Sequence, residues 1–94
     1  MTARRSPLSR RQREVLTLAA NGNTAAQIGA WLWVTPDTVN TTLQNAYRNL
    51  GVHDRAHAVA VAIRLGLIDL EAVTIPDRLA DGARSRREAR QNAA

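Results

Sequence analysis

The 94 residues contain no cysteine, which excludes a disulfide framework, a thiolate nucleophile and any Cys-ligated zinc or iron-sulfur centre. Stability must therefore come from the hydrophobic core. No apolar run approaches the roughly eighteen residues that a membrane span needs, and the arginine-rich start lacks the apolar stretch of a secretory signal. A soluble, cytoplasmic protein is the expectation. Lysine is missing as well: all 13 cations are arginines, set against 8 acids, for a net charge of +5 and a pI near 11.5. Such a balance favours a polyanionic partner such as nucleic acid. The lack of lysine beside so many alanines also fits a GC-rich coding sequence, so arginine abundance alone says little about phosphate binding. At 10.3 kDa and 45% apolar side chains, the chain fits one small domain and offers little cavity for a substrate. With no motif around any Ser-His-Asp set or carboxylate pair, it reads as a non-enzyme without a cofactor.

The charges fall in blocks. Arg4, Arg5, Arg10, Arg11 and Arg13 open the chain, and Arg84, Arg86, Arg87 and Arg90 dominate its end, while Asp69, Glu71, Asp77 and Asp81 outweigh Arg78 in between. Basic character thus belongs to the flanks. From Asp77 onward Leu79 is the single large apolar residue, too few to fix a packed segment. The expected organisation is a basic N-terminal arm over residues 1–7, a helical domain over 8–68, a packed extension over 69–76, and a mobile tail over 77–94 with transient helix.

Punctuation divides the central part into four helices. Ser9 with Gln12 forms a capping box, Val15, Leu16, Leu18 and Ala19 supply an apolar stripe, and Asn21-Gly22 stops the helix. Thr24 with Gln27 repeats the box, Ile28 and Leu32 share a face, and Gly29 or Ala30 lets a neighbouring backbone come close. Thr35-Pro36 opens a third helix whose buried stripe is Val39, Leu43, Tyr47 and Leu50, and Gly51 closes it. After a loop through His53 and Asp54, residues from about Arg55 to Leu65 make a fourth helix ended by Gly66. No segment reads as a paired strand, so the fold class is all-α. Helix, short turn and helix, capped at Thr24 and Thr35, is the helix-turn-helix arrangement whose later helix can enter a DNA major groove.

Leu8-Ser9, Arg13-Glu14-Val15-Leu16, Gly22, Ile28, Leu32, Thr35-Pro36, Thr38-Val39, Leu43, Tyr47-Arg48, Leu50-Gly51-Val52, Arg55, Ala58-Val59 and Gly66-Leu67-Ile68 together resemble the DNA-binding domain of LuxR/GerE-type transcriptional regulators. The resemblance implies a four-helix domain with a short C-terminal extension, whose third helix reads the major groove of double-stranded DNA and whose fourth pairs two protomers. Most members of that family carry a receiver or ligand-binding domain upstream. Here the match begins after seven residues, so the resemblance is to the small stand-alone members, without a phosphoacceptor or inducer pocket. Positions often basic in the family hold Asp37, Asn40 and Asn49, and Thr42 stands where a His is common. Arg48 is left as the only cation from Pro36 to Leu50, so this helix should attract phosphates weakly. Asn40, Thr41 and Gln44 match the family's base-facing positions, and their spacing sets them opposite Leu43, Tyr47 and Leu50. Amides can bond an adenine edge bidentately, and a Thr methyl can touch a thymine methyl. Against this stands the plain alternative of a solvated polar face, which any amphipathic helix has.

Thr38, Arg48, Arg10, Arg11, Arg4 and Arg5 are the candidate phosphate contacts, and Val61, Arg64 and Leu65 the candidate dimer contacts. The fourth helix, with Ala56, Ala58, Val59, Ala60, Val61, Ala62, Ile63 and Leu65, is apolar nearly all round, so it is either covered by the C-terminal segment or pressed against a second protomer, and the resemblance implies the second. His53 and His57 do not form a metal pair, because His53 precedes the helix and no third ligand accompanies them. Trp33 reads as a core plug beside the turn. Trp31 reads as covered by the segment Leu70 to Ile75, with docking of a protein partner as the other possibility. The rival functional class is accordingly a protein-binding module that acts on another regulator or on RNA polymerase without reading DNA.

Overall fold

Four short polar side chains decide where the helices begin in the computed structural model, which describes residues 6–79. Helix α1 (Arg10–Ala20) starts at Ser9, whose Oγ accepts the Gln12 N–H at 3.0 Å while Gln12 Oε1 accepts the Ser9 N–H at 2.9 Å. Thr24 and Gln27 make the same reciprocal pair at the head of α2 (Ala25–Leu32), at 3.2 and 2.8 Å. Helix α3 (Pro36–Leu50) has Thr35 as its cap, accepting the Thr38 N–H at 3.1 Å, and Pro36 in the first turn, where its missing N–H costs no hydrogen bond. Helix α4 (Arg55–Arg64) is capped by the Asp54 carboxylate on the His57 N–H at 2.8 Å. Asp54, expected in the loop, stands directly ahead of the first helical residue, where an N-cap is signalled. Gly51 and Gly66 adopt left-handed φ values of 71° and 74° and turn the chain out of α3 and α4. No strand is present among the described residues.

One core joins all four helices. Val15, Leu16 and Ala19 of α1, Ile28 of α2, Val39, Leu43, Ala46 and Tyr47 of α3, and Ala58 and Ala62 of α4 are buried together with Leu8, Val52 and Ile68. Three of the four residues read as the stripe of α3 are fully inside, and Leu50 packs at the margin. No buried side-chain nitrogen or oxygen among the described residues lacks a partner.

Polar contacts fix the order of the helices around this core. The Asn21-Gly22-Asn23 turn acts as a junction: Asn23 Nδ2 donates to the Leu18 carbonyl at 2.8 Å, and the Arg55 guanidinium donates to the Asn23 carbonyl at 3.3 Å, tying α4 to the end of α1. Asn21 holds the segment after α4. Its Oδ1 accepts both the Thr74 N–H at 2.6 Å and the Thr74 hydroxyl at 3.0 Å, and its Nδ2 donates to the Ala72 and Thr17 carbonyls. Val73 packs on the core, whereas Leu70 and Ile75 are exposed. At the other end of the domain Asn49 Nδ2 donates to Gln12 Oε1 at 3.1 Å, joining the last turn of α3 to the first turn of α1.

Both tryptophans depart from the sequence reading. Trp33 is 93% exposed and is no core plug. It occupies the C-cap of α2 with φ 61° and ψ 40°, a left-handed conformation that swings its side chain away from the domain. Trp31 is 70% exposed and is not covered by the extension, because Asn21 holds that segment against the end of α1.

Gly29 sets how α2 meets the turn into α3. Its carbonyl accepts the Val34 N–H at 3.0 Å, and a Cβ at this position would lie 2.6 Å from the Val34 carbonyl oxygen. Alanine favours a helix over glycine by about 1 kcal/mol, but the obstructing atom is backbone and cannot rotate aside. Overpacking of this kind costs about 1 to 3 kcal/mol, so Gly29→Ala should lower the thermal midpoint of unfolding. A raised midpoint would mean that helix propensity outweighs the contact.

Candidate nucleic-acid interface

The outer face of α3 is built by subtraction. Val39, Leu43, Ala46 and Tyr47 turn inward, so Asp37, Thr38, Asn40, Thr41, Gln44, Asn45, Arg48 and Asn49 are left exposed. Asn40, Gln44 and Arg48 follow one another at intervals of four and therefore form a single stripe along the helix. Thr41 lies beside it. Among the described residues, no hydrogen bond within the protein engages the side chains of Asn40, Thr41 or Gln44, whereas the neighbouring Thr42 hydroxyl is spent on the Thr38 carbonyl at 3.0 Å. The amides of Asn40 and Gln44 thus keep their full donor and acceptor capacity for an external partner.

The candidate phosphate contacts are distributed around this stripe. Arg48 Nη1 reaches Asn45 Oδ1 at 3.4 Å, a long contact that leaves most of the guanidinium available. Thr38 is exposed, and its hydroxyl lies 3.0 Å from that of Thr35 at the head of the helix. Arg10 and Arg11 occupy the first turn of α1, where no acid is present and a cation works against the helix dipole. The fold gains nothing from their position. Arg11 pairs with Glu14 at 2.8 Å, with both side chains about half exposed, and such a pair contributes little to stability. Because Asn49 bonds to Gln12, the α1 turn carrying Arg10 and Arg11 adjoins the end of α3 that carries Arg48. Arg4 and Arg5 lie outside the described residues.

Asn49 and Asp54, two polar residues of the same stretch, have structural employment. Asn49 holds α3 to α1, and Asp54 caps α4. The candidate dimer residues sit on α4 and just past it: Val61 is half-buried, while Arg64 and Leu65 are exposed. With Ala56 and Ala60 also exposed on α4, the outward side of this helix is shallow and mostly apolar. No helix among the described residues is long and apolar enough to cross a membrane.

A four-helix unit with a capped helix, turn and helix, presenting an uncommitted polar face on the second of that pair, defines a helix-turn-helix domain. The profile of bacterial regulatory proteins of the luxR family matches residues 6–62, and the chain belongs to that family. It is 52% identical over 62 residues to the probable transcriptional regulatory protein NarL of Mycobacterium tuberculosis, a match that covers 66% of this chain and 29% of that protein. The spore germination protein GerE of Bacillus subtilis is 35% identical over 63 residues, covering 67% of this chain and 85% of GerE. A solved structure of the transcription factor GerE superposes with a TM-score of 0.67 at 32% identity, covering 70% of this chain and 98% of that one. By name, the first of these is a probable transcriptional regulatory protein and the solved structure is that of a transcription factor.

The solvated position of the α3 stripe has a direct consequence for stability. Asn40→Ala and Gln44→Ala should each leave the free energy of unfolding within about 0.5 kcal/mol of wild type. Thr35→Ala, which removes the cap on the Thr38 N–H, should cost about 1 kcal/mol. Denaturant titration of the three variants checks this, and a loss at Asn40 or Gln44 as large as at Thr35 would show that the stripe serves the fold.

Proposed function

We propose that this domain is a sequence-specific DNA-binding transcription regulator that acts as a homodimer, laying α3 in the major groove. The observation that carries the reading is the uncommitted stripe of Asn40 and Gln44, with Thr41 beside it, on the second helix of a helix-turn-helix pair in a chain of this family. Each amide has one donor and one acceptor group side by side, the pattern that matches the N6 and N7 edge of adenine. Thr41 adds a methyl for thymine. Arg48, Thr38, Arg10 and Arg11 hold phosphates at the edge of the groove, and Arg4 and Arg5 extend that grip from the N-terminal arm. Asp37 at the head of α3 complements the helix dipole but repels a phosphate, so grip comes mainly from the arginines around the stripe and recognition from the amides within it.

Dimer formation through α4 completes the reading. Val61, Arg64 and Leu65 face the second protomer, and the small exposed Ala60 lets the two helices approach closely. A two-fold pair presents two α3 helices to half-sites about one helical turn apart. Doubling the contact surface supplies affinity that one weakly charged α3 lacks.

Titration against a selected duplex and a scrambled one at two salt concentrations tests the reading. Asn40→Ala or Gln44→Ala should cost about 1 to 3 kcal/mol on the selected duplex and almost nothing on the scrambled one. Arg48→Ala should weaken both alike, and removing Arg4 and Arg5 should lower the salt slope by about one to two. A wild type without preference between the duplexes would overturn DNA reading in favour of docking on another protein. Independently, Leu65→Glu should convert dimer to monomer in sedimentation while the helical circular dichroism is retained, since an unpaired carboxylate is costly at an apolar interface. A wild type that is already monomeric at the concentrations used for DNA binding would exclude α4 pairing in solution.

A further inference from the structure

The α3 stripe does not account for the other conspicuous surface. Trp31 and Trp33 are 70% and 93% exposed, the most open large apolar side chains among the described residues. Trp33 also holds φ 61°, a left-handed conformation that disfavours every residue with a Cβ and bulky ones most. Neither indole stabilises the core. Two adjoining exposed indoles mark an interaction surface more often than a neutral one.

The geometry of α2 separates this surface from the α3 stripe. Ile28 and Gly29 point inward, so Gln27, Ala30 and Trp31 point out, and Trp33 closes a shallow hollow over them. On one flank Gly29 abuts the turn into α3. On the other flank Trp31 and Leu32 form a second hollow of about 360 Å³ with Glu14, Thr17 and Leu18 of α1. An occupant of the indole surface therefore lies on the α1 side of α2 and leaves Asn40 and Gln44 open.

The path of the chain indicates the occupant. Asn21 binds Thr74 through its carbonyl oxygen and the Thr17 carbonyl through its amide nitrogen, and Thr17 lines the second hollow. Thr74 is thus linked through Asn21 to Thr17, a residue of the second hollow. Residues 77–79 begin a helical turn, with the Leu79 N–H on the Pro76 carbonyl at 2.8 Å, and a chain as long as the 15 residues that follow reaches at most about 50 Å when extended. The residues that follow, 80–94, carry Arg84, Arg86, Arg87 and Arg90 and no large apolar side chain. A planar guanidinium is the natural cover for an indole face, because it stacks on the ring while its charge meets the negative π-surface. Glu14, at the edge of the second hollow, is held among the described residues only by the exposed pair with Arg11 and can exchange that partner for another arginine.

We propose that the arginines of residues 80–94 dock in cis on the Trp31 and Trp33 surface of α2. The short tether from Thr74 gives the segment an effective concentration in about the millimolar range, so individually weak cation–π contacts suffice. While docked, those arginines are withheld from any other anion, phosphates included.

Acrylamide quenching of tryptophan fluorescence in the full chain tests this, since a neutral quencher reports access to the indoles without responding to charge. Wild type should show a Stern–Volmer slope at least about twofold lower than the variant carrying Arg84→Gln, Arg86→Gln, Arg87→Gln and Arg90→Gln, because stacking shields the ring faces. The protection should be unchanged on dilution, and Trp31→Phe and Trp33→Phe assign it to each indole. Equal slopes for wild type and the four-site variant would overturn the proposal. Protection that falls on dilution would overturn it too, by assigning the surface to a second copy of the chain.

Discussion

The close approach of Gly29 to the Val34 carbonyl is the constraint on which the functional geometry rests. A helix-turn-helix unit works only if its second helix projects at a fixed angle from the first, and here a turn of three residues, Trp33 to Thr35, makes the change of direction. With only hydrogen on its Cα, Gly29 lets that turn fold directly against α2 and donate the Val34 N–H to the Gly29 carbonyl. Thr35 then caps α3 on leaving the turn, and Val39, Leu43 and Tyr47 lock the helix to the core. The direction in which Asn40 and Gln44 project is decided by this contact, eleven residues before the first and fifteen before the second.

The distribution of charge gives the proposed mode of binding its character. A protein that finds DNA by electrostatics alone concentrates cations on its recognition helix, and affinity then falls steeply with salt. In this chain α3 carries a single arginine and an aspartate at its head, while most of the remaining cations collect at the first turn of α1 and in the flanks, with Arg55 and Arg64 on α4. Attraction and recognition are thereby assigned to different elements. The arrangement favours discrimination: a weak general hold lets the few directional amide bonds decide which sequence is occupied.

The fold was legible in the sequence because the residues that specify it are either buried or at helix ends. Ser9, Thr24 and Thr35 each place a hydroxyl where an uncapped N–H needs an acceptor. Leu8, Val15, Leu16, Ile28, Val39, Leu43, Tyr47, Val52, Ala58 and Ile68, which carry the family resemblance, are all core residues. The surface was less legible. A tryptophan next to a turn looks like core when only its hydrophobicity is read, yet the left-handed backbone at Trp33 directs it outward. The apolar residues of the extension point to Trp31 as what they cover, whereas a pair of hydrogen bonds from Thr74 to the side-chain carbonyl oxygen of Asn21 governs where it lies. Nothing in the local pattern of either segment announces a contact between positions so far apart in the chain. For the α3 stripe, periodicity shows which side chains face out, but the same periodicity fits a solvated face, and only the family supplies a partner.

Selection from a pool of random duplexes probes whether the outer face of α3 reads base sequence as part of a symmetric pair, as proposed. Two-fold symmetric sites should be enriched, with A·T pairs at the amide positions and half-site centres about one helical turn apart. Recovery of sequences no different from the starting pool, at salt low enough for the arginines to bind DNA, would contradict it.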